Sequence, residues 1–236
     1  MTKPLENKLA LVTGASRGIG AATAKALAAA GAHVILVART AGGLEEVEDA
    51  IHETGGSATI APLDIADGDS VARLAAAVGE RWDALDILVL NAATLGSLTP
   101  LVQIDPKELS QIFTLNVLAQ QAMIAGFDPM LRKSEAGRLI ALTSSVGRNP
   151  RAYWGAYGGS KAALETMVTS YGEEVKNLSS VRTAIVDPGA TATTMRANAY
   201  PGEDPATLKS PDVVADAIVG LVTGDFETGH RVRIEG

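Results

Sequence analysis

An apolar run of five residues, LALVT (9–13), passes through a glycine-rich turn into an alanine-rich stretch of helical period, GIGAATAKALAAAG (18–31). The run reads as a buried strand, and Gly31 reads as the stop of the helix. A strand that gives way to a helix within a few residues, and then to another strand, confines the chain to folds made of βαβ units. The alternation continues. HVILVA (33–38), ATIAPLD (58–64), LDILVLN (85–91), GRLIALTS (137–144), VRTAIVDPG (181–189) and HRVRIEG (230–236) read as strands. Helical periodicity covers 43–56, 67–83, 105–133 (one long helix or two), 156–177 and 210–222. The last of these opens on Ser210 as a cap with Pro211 in the first turn. The strands are continuous apolar runs, the pattern of a parallel sheet covered on both faces. The expected fold is α/β, a doubly wound sheet of six or seven strands. No repeat or linker divides the 236 residues, so one domain over 1–236 is expected, with an irregular loop at 193–210.

Composition narrows the function classes. The formal net charge of -7 suits neither a nucleic-acid backbone nor an anionic membrane. No apolar run approaches the roughly 20 residues of a membrane span. The run near the N-terminus is too short for a signal-peptide core. Cysteine is absent, which removes disulfides, thiolate nucleophiles and Cys-ligated zinc. His33, His52 and His230 are scattered, so no metal site is expected. A cytoplasmic protein without nucleic-acid or membrane partners is the expectation.

The turn after the first strand is TGASRGIG (13–20). Gly14 permits a tight turn, Gly18 clears space for a ligand against the backbone, and Gly20 lets the helix pack close to the sheet. Ser16, Arg17 and Ile19 complete the loop. Amides at the helix N-terminus then face a diphosphate. The competing reading is a purely structural turn. The second strand ends in Ala38 and Arg39, where an acidic residue would accept the 2'-hydroxyl of NAD. Arg17 and Arg39 can instead bracket a 2'-phosphate, which favours NADP(H) over NAD(H). Otherwise Arg39 is a solvated surface charge.

YGGSK (157–161) places Tyr157 and Lys161 on one face of a helix. A tyrosine is a poor base near neutrality, its pKa being about 10. A neighbouring ammonium, helped by an oxidised nicotinamide, would lower it and make a general acid/base. Such a pair alone is common on ordinary helices. Its neighbours alter the reading: Ser144, NAA (91–93) and DPGATAT (187–193) all fall at the carboxyl ends of expected strands, where open α/β sheets bind ligands. Asn116 lies within the helical stretch 105–133.

With these motifs the chain resembles the short-chain dehydrogenase/reductase family from Leu9 to its C-terminus. The resemblance rests on TGASRGIG, LDI (63–65), NAA, Asn116, Ser144, YGGSK and DPGATAT. It implies a Rossmann-like, seven-stranded sheet in the order 3-2-1-4-5-6-7, and hydride transfer between NAD(P)H and a carbonyl or secondary alcohol. It makes Tyr157 the general acid/base and Ser144 the group that polarises the carbonyl. Lys161 would hold the nicotinamide ribose and lower Tyr157. The backbone carbonyl of Asn116 would hold a water that relays protons from Lys161. Asp64 and Ile65 would meet the adenine, Asn91 and Ala92 the adenosine ribose region, and Pro188, Gly189, Thr191 and Thr193 the nicotinamide side. Serine-x-x-glycine spacing to Gly147 selects Ser144 over Ser145. Leu90 and Ala93 depart from the family's NNAG. Tyr153, Trp154 and Met195 either line the substrate pocket or pack under a loop. The C-terminal strand resembles one buried between subunits, which implies a homodimer or homotetramer. A non-catalytic dinucleotide sensor or scaffold is the competing function.

Overall fold

A computed structural model describes residues 3–235. Its strands are β1 (Leu9–Thr13), β2 (His33–Ala38), β3 (Ser57–Pro62), β4 (Ile87–Leu90), β5 (Arg138–Leu142), β6 (Arg182–Asp187) and β7 (His230–Arg233). They form one sheet in the order β3-β2-β1-β4-β5-β6-β7, and every pairing is parallel. Gly236, the last residue of the expected strand 230–236, lies outside the described residues.

The reason the central strands are apolar along most of their length is visible in the packing. Ala10, Val12, Val34, Leu36, Val89 and Ile140 face one layer, where they meet α1 (Gly18–Ala29), α2 (Ala41–Glu53) and α8 (Pro211–Thr223) through Leu27, Leu44, Ile51 and Ile218. Leu9, Leu11, Ile35, Leu88 and Leu139 face the other layer. There they meet α3 (Ser70–Gly79), α5 (Ala119–Lys133) and α6 (Gly155–Val175) through Val71, Leu74, Met123, Phe127 and Val168. Alternate side chains point to opposite faces, and in the middle of the sheet both faces are dry.

The stretch 105–133 is α4 (Pro106–Phe113) running through a π turn (Thr114–Leu118) into α5. Asp105 caps α4 by accepting from the Lys107 amide at 2.8 Å. At the other end Ser210 caps α8, accepting from the Asp212 amide at 3.2 Å with Pro211 in the first turn.

The segment 193–210 departs from the irregular loop expected. It contains α7 (Thr194–Ala199) and a 3-10 turn (Pro205–Thr207). Thr193 caps α7 through the Arg196 amide at 3.1 Å, and Arg196 grips Glu203 with two nitrogens, at 2.6 and 2.5 Å. The base of the segment is closed by the Ala192 amide on the Lys209 carbonyl at 2.9 Å. Pro201 and Gly202 dominate a reading by residue type, whereas the cap and the ion pair decide the structure.

Candidate active site

The first connection from β1 leads to β2 on one side, and that from β3 crosses to β4 on the other. The loops after β1 and β4 therefore part, and a crevice opens above the carboxyl ends of the strands. The cleft there has a volume of about 1270 Å³. Its wall includes Gly14, Ser16, Arg17, Gly18 and Ile19 from the glycine loop. Gly14 has φ +67, and a Cβ on it would stand 2.8 Å from Asn91 Nδ2. The Asn91 amide group holds this turn by donating to the carbonyls of Thr13 at 2.8 Å and Gly14 at 3.2 Å. Thr13 ties the two loops together, its hydroxyl accepting from the amides of Asn91 and Ala92 at 3.0 and 3.1 Å.

Arg39 and Asp64 line the end of the cleft near β2 and β3, with Ile65 beside them; Asn91 and Ala92 line its middle. Asp64 is committed locally, accepting from the Ala66 amide at 2.9 Å. Tyr157 and Lys161 line the opposite end with Pro188, Thr193 and Met195. Both project from α6 one turn apart. Lys161 Nζ donates to the Leu142 carbonyl at 2.9 Å and sits 5.7 Å from the centre of the Tyr157 ring. The Tyr157 hydroxyl lies 3.9 Å from Met195 Sδ on α7. Helix α6 lies directly on the turn that follows Ser144: a Cβ on Gly158 would come within 2.8 Å of the Val146 carbonyl. That contact explains a glycine inside a helix, where it costs about 1 kcal/mol relative to alanine.

Asn116 is fully buried in the π turn. Its side chain accepts from the Thr94 amide at 2.8 Å and donates to the Thr94 carbonyl at 2.9 Å and to Ser160 Oγ at 3.0 Å. It thus joins the loop after β4 to the helix that carries Tyr157. π turns disturb the regular pairing of helix carbonyls and recur at functional sites.

Burial first, and then the Asp187 carboxylate, push the Tyr157 phenol up from its ordinary value. The lysine by itself does not produce the expected lowering, because its ammonium points at the Leu142 carbonyl and the phenolate would be desolvated. Burial brings Lys161 down to about 8, against the pull of the Glu165 carboxylate. Between about 8 and its ordinary 10.5, the unfolded chain holds a proton that the folded one has lost, so this group makes stability rise with pH across that window. Measured against Lys161→Met, the wild type should gain about 3 kcal/mol between those limits. Urea unfolding at pH 7.5 and 10.5 checks this; an equal difference at both would mean that the ammonium is not disfavoured.

The sequence model described as short chain dehydrogenase matches residues 8–204. The chain belongs to the short-chain dehydrogenase family. An uncharacterized oxidoreductase of Escherichia coli, YciK, is 36% identical over 224 residues, covering 94% of this chain and 88% of its own. A short chain dehydrogenase from Pseudomonas syringae superimposes with a TM-score of 0.96 at 37% identity, covering 100% of this chain and 97% of the other. One from Escherichia coli, solved in complex with NADPH, gives 0.94 at 35% identity over 100% of both chains. The protein is an oxidoreductase of CH–OH and C=O groups that uses NAD(P).

Within this short-chain dehydrogenase, several expected residues stand behind the cleft wall. Gly20 lies beneath the glycine loop, where a Cβ would be 2.2 Å from the Gly14 carbonyl. Thr191 is buried, donating to the Pro188 carbonyl at 3.0 Å and pairing with Lys209. A Cβ on Gly189 would meet the Ile234 carbonyl and Lys209 Nζ, both at 2.8 Å. Ser144 stands in extended backbone at the head of a 3-10 turn (Ser145–Gly147), half-buried. Its hydroxyl makes no hydrogen bond among the described residues, whereas Ser145 Oγ takes a long one, 3.4 Å, from Arg151. Trp154 packs edge-on to Tyr157 at 6.0 Å and tilted against Tyr200 at 5.8 Å. Tyr153 is exposed and has φ 74. Sequence reading missed Thr13, Thr94 and Thr143. Nothing in their spacing singles them out, because their partners lie 22 to 79 residues away. It also missed Glu165, although that residue continues the four-residue spacing of Tyr157 and Lys161.

Proposed function

We propose that the protein reduces a carbonyl compound with NADPH, and that Tyr157 is its proton donor. The observation that carries this reading is that Tyr157 and Lys161 share one cleft with the glycine loop and with Arg17 and Arg39. The cleft fits a dinucleotide: at about 1270 Å³ it is lined by Arg39 and Asp64, by the glycine loop at the start of α1, and by Tyr157 and Lys161. Arg17 and Arg39 line the wall without a carboxylate in salt-bridge distance among the described residues, which suits a 2'-phosphate. When bound, the cofactor supplies the hydride. Ser144 donates a hydrogen bond to the carbonyl oxygen. Tyr157, kept neutral by burial, gives that oxygen its proton. Lys161 holds ribose hydroxyls near the phenol, and the Asn116 carbonyl holds water that returns a proton through Lys161. Met195 and Trp154 bound the space in front of the phenol.

Arg39→Ala should weaken NADPH binding about 10–100-fold, the worth of one charge-assisted hydrogen bond. NADH binding should stay within about twofold, since NADH lacks the group that the guanidinium meets. Fluorescence titration of both cofactors tests the assignment. Equal losses for the two would place Arg39 away from the 2'-phosphate.

A further inference from the structure

Tyr157, Lys161 and Glu165 follow one another at four-residue intervals along α6. Glu165 is a carboxylate with only 7% of its side chain exposed. Oε1 accepts from Thr143 Oγ1 at 2.6 Å. Oε2 accepts from Arg148 Nε at 2.9 Å and from Arg231 Nη1 at 2.5 Å. Arg231 also donates to Thr169 Oγ1 at 3.0 Å, one turn further along the helix. The donors come from three places. Thr143 precedes Ser144 at the end of β5, Arg148 closes the 3-10 turn that Ser144 opens, and Arg231 belongs to β7.

A plain tie between a helix and a loop is made as well by apolar packing, and a buried ion network often adds no stability over hydrophobic residues of similar volume. This network brackets Ser144 on both sides, through Thr143 and Arg148, and anchors both to the helix that holds Tyr157 and Lys161. It also sets a negative charge one helical turn from the buried ammonium. The other charges around this stripe are disposed differently. Asp187 acts from β6 on Tyr157, Arg148 and Arg231 face Glu165, and Lys161 itself faces the Leu142 carbonyl.

We propose that Glu165 is a positioning residue of the carbonyl-reducing centre: it fixes Ser144 against Tyr157 and supplies the negative charge that keeps Lys161 an ammonium. The first half rests on the reaction proposed above; the second does not.

Glu165→Gln keeps the size and an accepting oxygen but removes the charge. It should lower kcat/KM for a ketone about 10-fold, mainly in kcat, with NADPH binding within about twofold. The titration of Lys161, followed by carbon-13 NMR of labelled lysine and assigned with Lys161→Met, should move down by roughly one pH unit. Thr143→Val keeps the carboxylate and removes one tie to the Ser144 segment. It should lower kcat while leaving the Lys161 titration in place, and it serves in its own right if Glu165→Gln does not fold. A folded Glu165→Gln protein with wild-type kcat, or with Lys161 titrating at the wild-type value, overturns the proposal; so does wild-type kcat in Thr143→Val. A wild type that turns over no carbonyl compound sinks the proposed reaction instead, and the NMR titration still decides the charge.

Discussion

Tyr157→Phe is expected to cut kcat for carbonyl reduction by about 10²–10⁴-fold, the usual contribution of one positioned acid or base. The geometry makes this a clean experiment. The ring keeps its contact with Trp154 at 6.0 Å, and Lys161 keeps its bond to the Leu142 carbonyl. Only the hydroxyl is lost, and its sole protein neighbour within bonding reach among the described residues is the weak acceptor Met195 Sδ at 3.9 Å. A buried hydroxyl so poorly partnered adds little to folding, so the variant should melt no lower than the wild type. NADPH affinity should change little, since the lysine and the arginines remain. Steady-state kinetics, a thermal melt and a cofactor titration read the three quantities. A variant keeping more than about a tenth of the wild-type kcat would remove Tyr157 from the proton transfer.

Gly20→Ala carries the second large effect, this time on the scaffold. The new Cβ would lie 2.2 Å from the Gly14 carbonyl oxygen and 2.5 Å from Asn91 Nδ2. Neither obstacle is a flexible chain end. The first is backbone, and the second is the group that holds the loop through Thr13 and Gly14. Helix propensity alone would favour alanine by about 1 kcal/mol. Overpacking is expected to exceed that gain, for a net loss of about 2 kcal/mol in unfolding free energy. Because relief requires α1 to move away from Gly14, NADPH binding should weaken as well. Urea denaturation and cofactor titration report on both. Wild-type stability would mean that the helix start can slide without cost, and that the glycine is there for another reason.

The two expectations differ in how visible they were before the fold was known. Tyr157 and Lys161 were readable because their relation is local: four residues on a helix define a common face wherever the helix sits. The contacts of Gly20 were partly readable. A glycine at the start of the helix signals close packing, but Asn91 as the obstacle comes from the loop after β4, 71 positions later. The seven-strand alternation was likewise local, and it was enough for the sheet order once the family resemblance was drawn. The segment 193–210 was misread because one ion pair, Arg196 with Glu203, orders a stretch whose composition is that of a loop. Without a cofactor, the setting of the Tyr157 phenol in the protein was not readable from the spacing. The spacing gives the nearness of an ammonium, whereas the depth of burial and the approach of Asp187, at the end of β6, are set by tertiary packing.

The amino-acid sequence by itself determined the layers of this protein, the glycine turn and the tyrosine–lysine face, because each follows from residues within one or two turns of each other. Only the tertiary structure decided which groups reach the cleft and which stand behind it. It also decided that the phenol rests protonated and that Glu165 gathers Thr143, Arg148 and Arg231 around a single carboxylate. Desolvation and hydrogen bonding between distant strands are properties of the packed chain, and no local pattern encodes them.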